Sequence, residues 1–120
     1  MKIDRAKLRK HVNITLTCEP DDLPIEGNAL ASGDDAEDRR AEQWIRDQLA
    51  RGNEWAWCVA IVTVEFAGVI ERDTLGACSY ESEADFKRGG YYEDMIGEAI
   101  ERLAERLEDQ NDALVTYGLI

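Results

Sequence analysis

The chain is poor in the residues most often used for chemistry. Its 120 residues include one histidine, His11, two prolines, two phenylalanines and two methionines. A single histidine excludes paired-histidine metal motifs such as HExxH, and no GxSxG, GxGxxG or Walker A pattern occurs either. Long apolar runs are also missing. The longest nearly unbroken stretch, Trp55 to Val64, falls far short of the roughly 20 residues that span a bilayer. The opening residues, MKIDRAKLRKH, lack the apolar centre of a secretory signal. A cytoplasmic protein without membrane contact and without a catalytic role is the expectation.

Cysteine is scarce and odd in number: Cys18, Cys58 and Cys78. Each stands in a strand-like apolar stretch, so buried free thiols in a reducing compartment are expected. Together with His11 they would supply a Cys3His set. No CxxC pair exists, however, and His11 and Cys18 are seven apart, on opposite faces of a continuous strand. No metal or other cofactor is expected. A Cys–His nucleophile is disfavoured because reactive thiols are not placed deep in apolar strands.

What the chain has in excess is negative charge. Twenty-six acids against 14 bases give −12. The first eleven residues run the other way, with Lys2, Arg5, Lys7, Arg9 and Lys10 against Asp4. They carry +4, which leaves −16 for the remainder. Such a surface repels phosphate backbones and excludes direct nucleic-acid binding. It attracts basic surfaces, including those that normally hold nucleic acid. Its ordinary role is solubility.

The 44% apolar content and 120-residue length fit one α+β domain spanning 1–120. Asp4 caps a short helix, with Ile3 and Leu8 at the spacing of a hydrophobic staple. Val12, Ile14, Leu16 and Cys18 alternate with polar residues, a half-buried strand that Pro20 and Pro24 stop. A helix follows over 34–50. Asp34 is its cap, Glu37 sits at the capping-box distance, and Ala41, Trp44, Ile45, Gln48 and Leu49 trace the inward face. Residues 54–66 read as a central strand, apolar on both faces, with Trp55, Trp57, Val59 and Ile61 on one of them. Ala67-Gly68 turns into a third strand over 69–80, whose Gly76, Ala77 and Cys78 leave room for a helix. Ser82 opens a short helical turn ended by Gly89-Gly90. A long helix then runs from Tyr91 to about Asp112, with Tyr92, Ile96, Ala99, Leu103 and Leu107 inward. The tail, 113–120, is apolar and fits a helix extension, an edge strand or a docking segment. The architecture expected is a three-stranded antiparallel sheet packed with two main helices, in the order α(short)-β-α-β-β-α.

The last helix carries the feature with most functional content. Asp94, Glu98, Glu101, Glu105, Glu108 and Asp112 step by three or four and fall within about 80° of arc, opposite the apolar face. The stripe is about 27 Å long. Acid beside acid at these spacings weakens a helix, and acids near the C-terminus oppose its dipole. Arg102 and Arg106 stand at helical spacings from Glu98 and Asp109. A regular rod of carboxylates suits an arginine- or lysine-lined groove made for a nucleic-acid strand. The plainer reading is a solvated face. A second cluster, Asp34, Asp35, Glu37 and Asp38, has an easier explanation, since acids in a first turn stabilise a helix N-terminus.

The stretches PIEGNALASGDDAEDRRAEQWI (24–45), NEWAWC (53–58) and LGACSYESEADFKRGGYYEDM (75–95), with the N-terminal LRKHVNITL, resemble small acidic proteins encoded in bacterial prophages and plasmids. The resemblance covers most of the chain and brings no catalytic residues with it. It implies an accessory protein of a mobile element, of the anti-CRISPR or anti-restriction kind. The expected function is a non-enzymatic inhibitor or modulator acting on a basic nucleic-acid-binding surface of a bacterial complex. A self-associating structural or adaptor domain, homodimeric through the apolar tail or the 54–66 strand, is the second reading, and a small enzyme the third.

Overall fold

The computed structural model describes residues 1–119. The expected α+β architecture is present, with a three-stranded antiparallel sheet and the element order α-β-α-β-β-α. The elements are α1 (Arg5–Arg9), β1 (Asn13–Pro20), α2 (Asp35–Ala50), a 3-10 turn (Glu54–Ala56), β2 (Cys58–Phe66), β3 (Val69–Cys78), α3 (Glu83–Arg88) and α4 (Gly90–Thr116). The strand order is β1-β2-β3, so β2 is central and β1 and β3 are edges.

Local chemistry explains most boundaries. Asp4, Asp34 and Ser82 cap α1, α2 and α3, each side-chain oxygen accepting from main-chain N–H groups of the first turn. Helix α2 ends at Gly52, which has φ +90. There the Gly52 and Asn53 N–H groups return to the Leu49 and Gln48 carbonyls, a Schellman motif. Helix α4 ends the same way on Gly118, with Leu119 N–H on the Leu114 carbonyl. The helix-extension reading of the tail therefore holds as far as Thr116, and Ile120 lies outside the described residues. Ala67 and Gly68 both have positive φ, the primed turn that matches strand twist.

Several elements depart from expectation. β2 begins at Cys58 rather than at 54, because Asn53 caps the Trp55 N–H and winds Glu54–Ala56 into a 3-10 turn. Trp55 is thereby removed from the strand face assigned to it, and its ring stacks on Phe86 at 5.1 Å. Only one face of β2 is fully covered. Cys58, Ala60, Val62 and Val64 are buried, whereas Val59, Ile61 and Thr63 on the other face are half-exposed. The inward side of α2 is centred on Glu42 and Ile45, and Trp44 and Leu49 sit at its margins, each more than a third exposed. The approach that Gly76 permits is not a helix but a carboxylate. A Cβ there would stand 3.3 Å from Asp21 Oδ2, which accepts from Ala77 N–H at 2.7 Å.

The chain forms two compact units. One comprises Met1–Thr15, Val62–Asp73 and the chain from Glu93 onward. Its buried side chains are Leu8, Val62, Val64, Met95, Ile96, Ala99, Ile100, Leu103 and Ala104. The other comprises Leu16–Ile61 and Thr74–Tyr92. It buries Phe86 completely, with Trp55, Tyr80 and Tyr92 around the ring. Ile45, Ala56 and Trp57 form a further cluster there, lined by Ile25 and Ala29. Strands β1, β2 and β3 and helix α4 contribute residues to both units.

Candidate functional site

Helix α4 runs 27 residues, about 40 Å, and its circumference divides into four sectors. Met95, Ile96, Ala99, Ile100, Leu103 and Ala104 form the buried sector. One flank carries Arg102 and Arg106. Both reach β3 rather than the helical neighbours suggested by spacing. Arg102 donates to the Arg72 carbonyl and pairs with Asp73 at 3.0 Å. Arg106 donates to the Ile70 carbonyl at 3.1 Å and pairs with Glu71 at 3.4 Å. Each arginine thereby gains two acceptors on one strand, a main-chain carbonyl and a carboxylate.

The opposite flank meets the basic N-terminal segment. Arg5 lies against Glu101 and Glu108, two helical turns apart. Its Nε and Nη2 donate to the two Glu101 oxygens at 2.9 Å, and Nη1 and Nη2 donate to the Glu108 oxygens at 3.0 Å. Nη1 also donates to the Ile3 carbonyl at 2.8 Å, so all five guanidinium hydrogens have an acceptor. The Ile3 N–H donates to Glu108 Oε2 at 2.8 Å. Hydrogen bonding to Arg5 holds both carboxyls below the usual glutamate range, and the two carboxylates hold the guanidinium more firmly protonated. Arg9 pairs with Glu93 at 2.8 Å on the same flank. The Met1 amino group stands 3.5 Å from Asp112.

The stripe expected from the sequence is therefore divided. Glu101 and Glu108 are tied to Arg5, and Glu108 is only half-exposed. Asp112 faces the chain's amino group. Asp94, Glu98 and Glu105 are exposed and have no ion pair among the described residues. Asp109, which lies within about 60° of Asp94 on the helical wheel, is exposed beside them. The anion surface that α4 offers is this crest, narrower than six residues. Spacing along one helix could not reveal the Arg5 clamp. The available signal was the +4 segment in a chain otherwise −16, with Glu101 and Glu108 a heptad apart.

The second acidic cluster serves its helix. Asp34 accepts from Ala36 and Glu37 N–H, and Asp38 accepts from the Ser32 N–H and hydroxyl, which lowers its pKa. Asp35 and Glu37 are exposed. Glu42 is buried on the same helix and accepts from Gly27 N–H at 3.3 Å.

The three thiols are free. Cys58 is fully buried, and hydrogen bonding to Cys78 together with burial raises its pKa well above the ordinary thiol value. Cys18 is half-exposed in a hollow of about 270 Å³ with Leu49, Glu54 and Trp57, and burial and Glu54 raise its pKa too. Cys18 and Cys58 are protonated, weakly nucleophilic thiols. Among the described residues, no group of three or more histidine, cysteine, aspartate and glutamate side chains is arranged to hold a metal ion. No helix there is long and apolar enough to cross a membrane.

No family model, curated protein or solved structure matches the chain. The functional reading therefore stands on the geometry.

Proposed function

We propose that this chain is a non-catalytic binding protein that presents the crest of α4 to a basic, nucleic-acid-binding surface of another protein, acting as an inhibitor or modulator of it. The observation that carries the reading is the set Asp94, Glu98, Glu105 and Asp109. They are exposed along one line of a rigid helix, while neighbouring acids are neutralised from within the chain. A helix held on both flanks presents its free carboxylates in one row, at axial steps of about 6, 10 and 6 Å. The net charge of −12 adds long-range attraction to a basic groove. The basic surface we propose as partner is that of a bacterial nucleic-acid-handling complex, such as a defence complex; its positive charge is what the free carboxylates of α4 would meet. The binding mode would be nucleic-acid mimicry.

The test uses the intact chain as bait in bacterial lysate, beside a variant with Asp94→Lys, Glu98→Lys and Glu105→Lys. A captured nucleic-acid-binding protein should be released by salt and by competing duplex or single-stranded nucleic acid. It should bind the variant at least about tenfold more weakly. Equal capture by the variant, or capture indifferent to nucleic acid, would contradict the proposal.

A further inference from the structure

The two edges of the sheet are treated differently. Along β3, Arg106 occupies the Ile70 carbonyl, Arg102 the Arg72 carbonyl and Asp21 the Ala77 N–H. An edge whose main-chain groups are already bonded is a poor template for another strand. Along β1, no side chain or main-chain group from outside the sheet bonds the backbone of Asn13–Cys18 among the described residues. From Val12 to Cys18 that strand also has no charge and no proline, in a chain where 33% of residues are charged. Soluble proteins ordinarily protect an edge with charge, proline or a bulge. Here protection starts only at Glu19 and Pro20.

The flanks of β1 are oppositely charged. Arg9, Lys10 and His11 precede it, and Glu19, Asp21 and Asp22 end it. Lys10, Glu19 and Asp22 are exposed and make no ion pair among the described residues. Two parallel copies of this strand would set like charge beside like. Two antiparallel copies set the basic end of each beside the acidic end of the other.

We propose that β1 is a self-pairing edge: two copies of the chain join antiparallel, β1 to β1, into one six-stranded sheet. A two-fold axis at Leu16 sets Thr15 opposite Thr17 and Ile14 opposite Cys18, and brings the turn that carries Lys10, just before the strand, to the end where the partner's Asp22 follows it. The Thr15–Thr17 pairs are favourable cross-strand neighbours. The half-exposed Ile14, Leu16 and Cys18 gain cover from the partner's same residues. The occupant is a second copy rather than a foreign strand because the charge pattern along β1 complements itself. The interface uses none of the α4 crest residues, so it stands or falls independently of the function proposed above.

The experiment is sedimentation of the intact chain across concentration, with circular dichroism confirming that each variant is folded. The wild type should reach a dimer. Thr15→Lys with Thr17→Lys should leave a folded monomer. Lys10→Glu alone and Asp22→Lys alone should each weaken dimerisation about tenfold, since like charge then meets like at both ends of the paired strands. Mixing those two single variants should restore it as a heterodimer. At one end the introduced glutamate of one chain then meets the introduced lysine of the other, and at the other end the unaltered Asp22 meets the unaltered Lys10. A wild type monomeric up to millimolar concentration overturns the proposal, and so does a dimer insensitive to the lysine pair. A mixture of the single variants that associates no better than either alone overturns the antiparallel pairing. The lysine substitutions are exposed, and the two charge reversals give a second test if the lysine pair fails to fold.

Discussion

At the scale of single residues, Phe86 and Arg5 carry the largest local consequences. Phe86 is fully buried, stacked on Trp55 at 5.1 Å and met edge-on by Tyr80 at 5.0 Å. Phe86→Ala should cost about 3–5 kcal/mol, a large part of the stability of a small domain. Urea unfolding followed by tryptophan fluorescence would measure it, and a loss under about 1 kcal/mol would mean the ring does not organise its surroundings. Arg5 matters through charge. Glu101 and Glu108 have lowered pKa values in the folded chain, so their contribution is fully present above about pH 5 and is lost as pH falls through those values. Arg5→Gln should lower stability at pH 7 and flatten the decline between about pH 7 and about pH 3. Equal declines in the two proteins would show that the clamp does not couple to folding.

At the scale of elements, caps and turns were legible because their physics is local. Asp4, Asp34, Ser82, Gly52 and the Ala67-Gly68 turn act within a few residues of themselves, and each lies where its sequence context placed it. Asp34→Ala should cost about 1 kcal/mol by leaving the Ala36 and Glu37 N–H groups without their acceptor. The hairpin holds Ala67 at φ +50, a conformation that asparagine tolerates better. Ala67→Asn should therefore stabilise by about 0.5 kcal/mol, seen as a small rise in the thermal midpoint. A fall would mean the turn is held by contacts that asparagine disturbs. The rotation of α2 was not legible. Trp44, Ile45 and Leu49 all read as inward, and packing on Ala56 and Trp57 buries Ile45 alone of the three.

At the scale of the whole molecule, charge is the dominant influence. A net charge of −12 opposes compaction by self-repulsion, and salt screens that repulsion over about 10 Å at 0.1 M. The Arg5 and arginine–β3 pairs are short and partly sheltered, so salt weakens them less. The thermal midpoint at pH 7 should rise as salt is increased from about 0.01 M to about 0.2 M. A fall would mean that ion pairs outweigh the excess negative charge.

The sequence by itself determined which segments are helix or strand, where most of them stop, and that one helix carries an acidic face. Those outcomes depend on periodicity, capping and turn geometry, which act over one or two turns of chain. Only the tertiary structure decided which acids remain free. Arg5 reaches Glu101 and Glu108 across about a hundred residues, and Arg102 and Arg106 turn to β3 instead of to their own helix. Tertiary structure also protected one edge of the sheet and left the other open. Charge pairing and edge protection depend on which distant segments become neighbours, and no spacing along the chain records that.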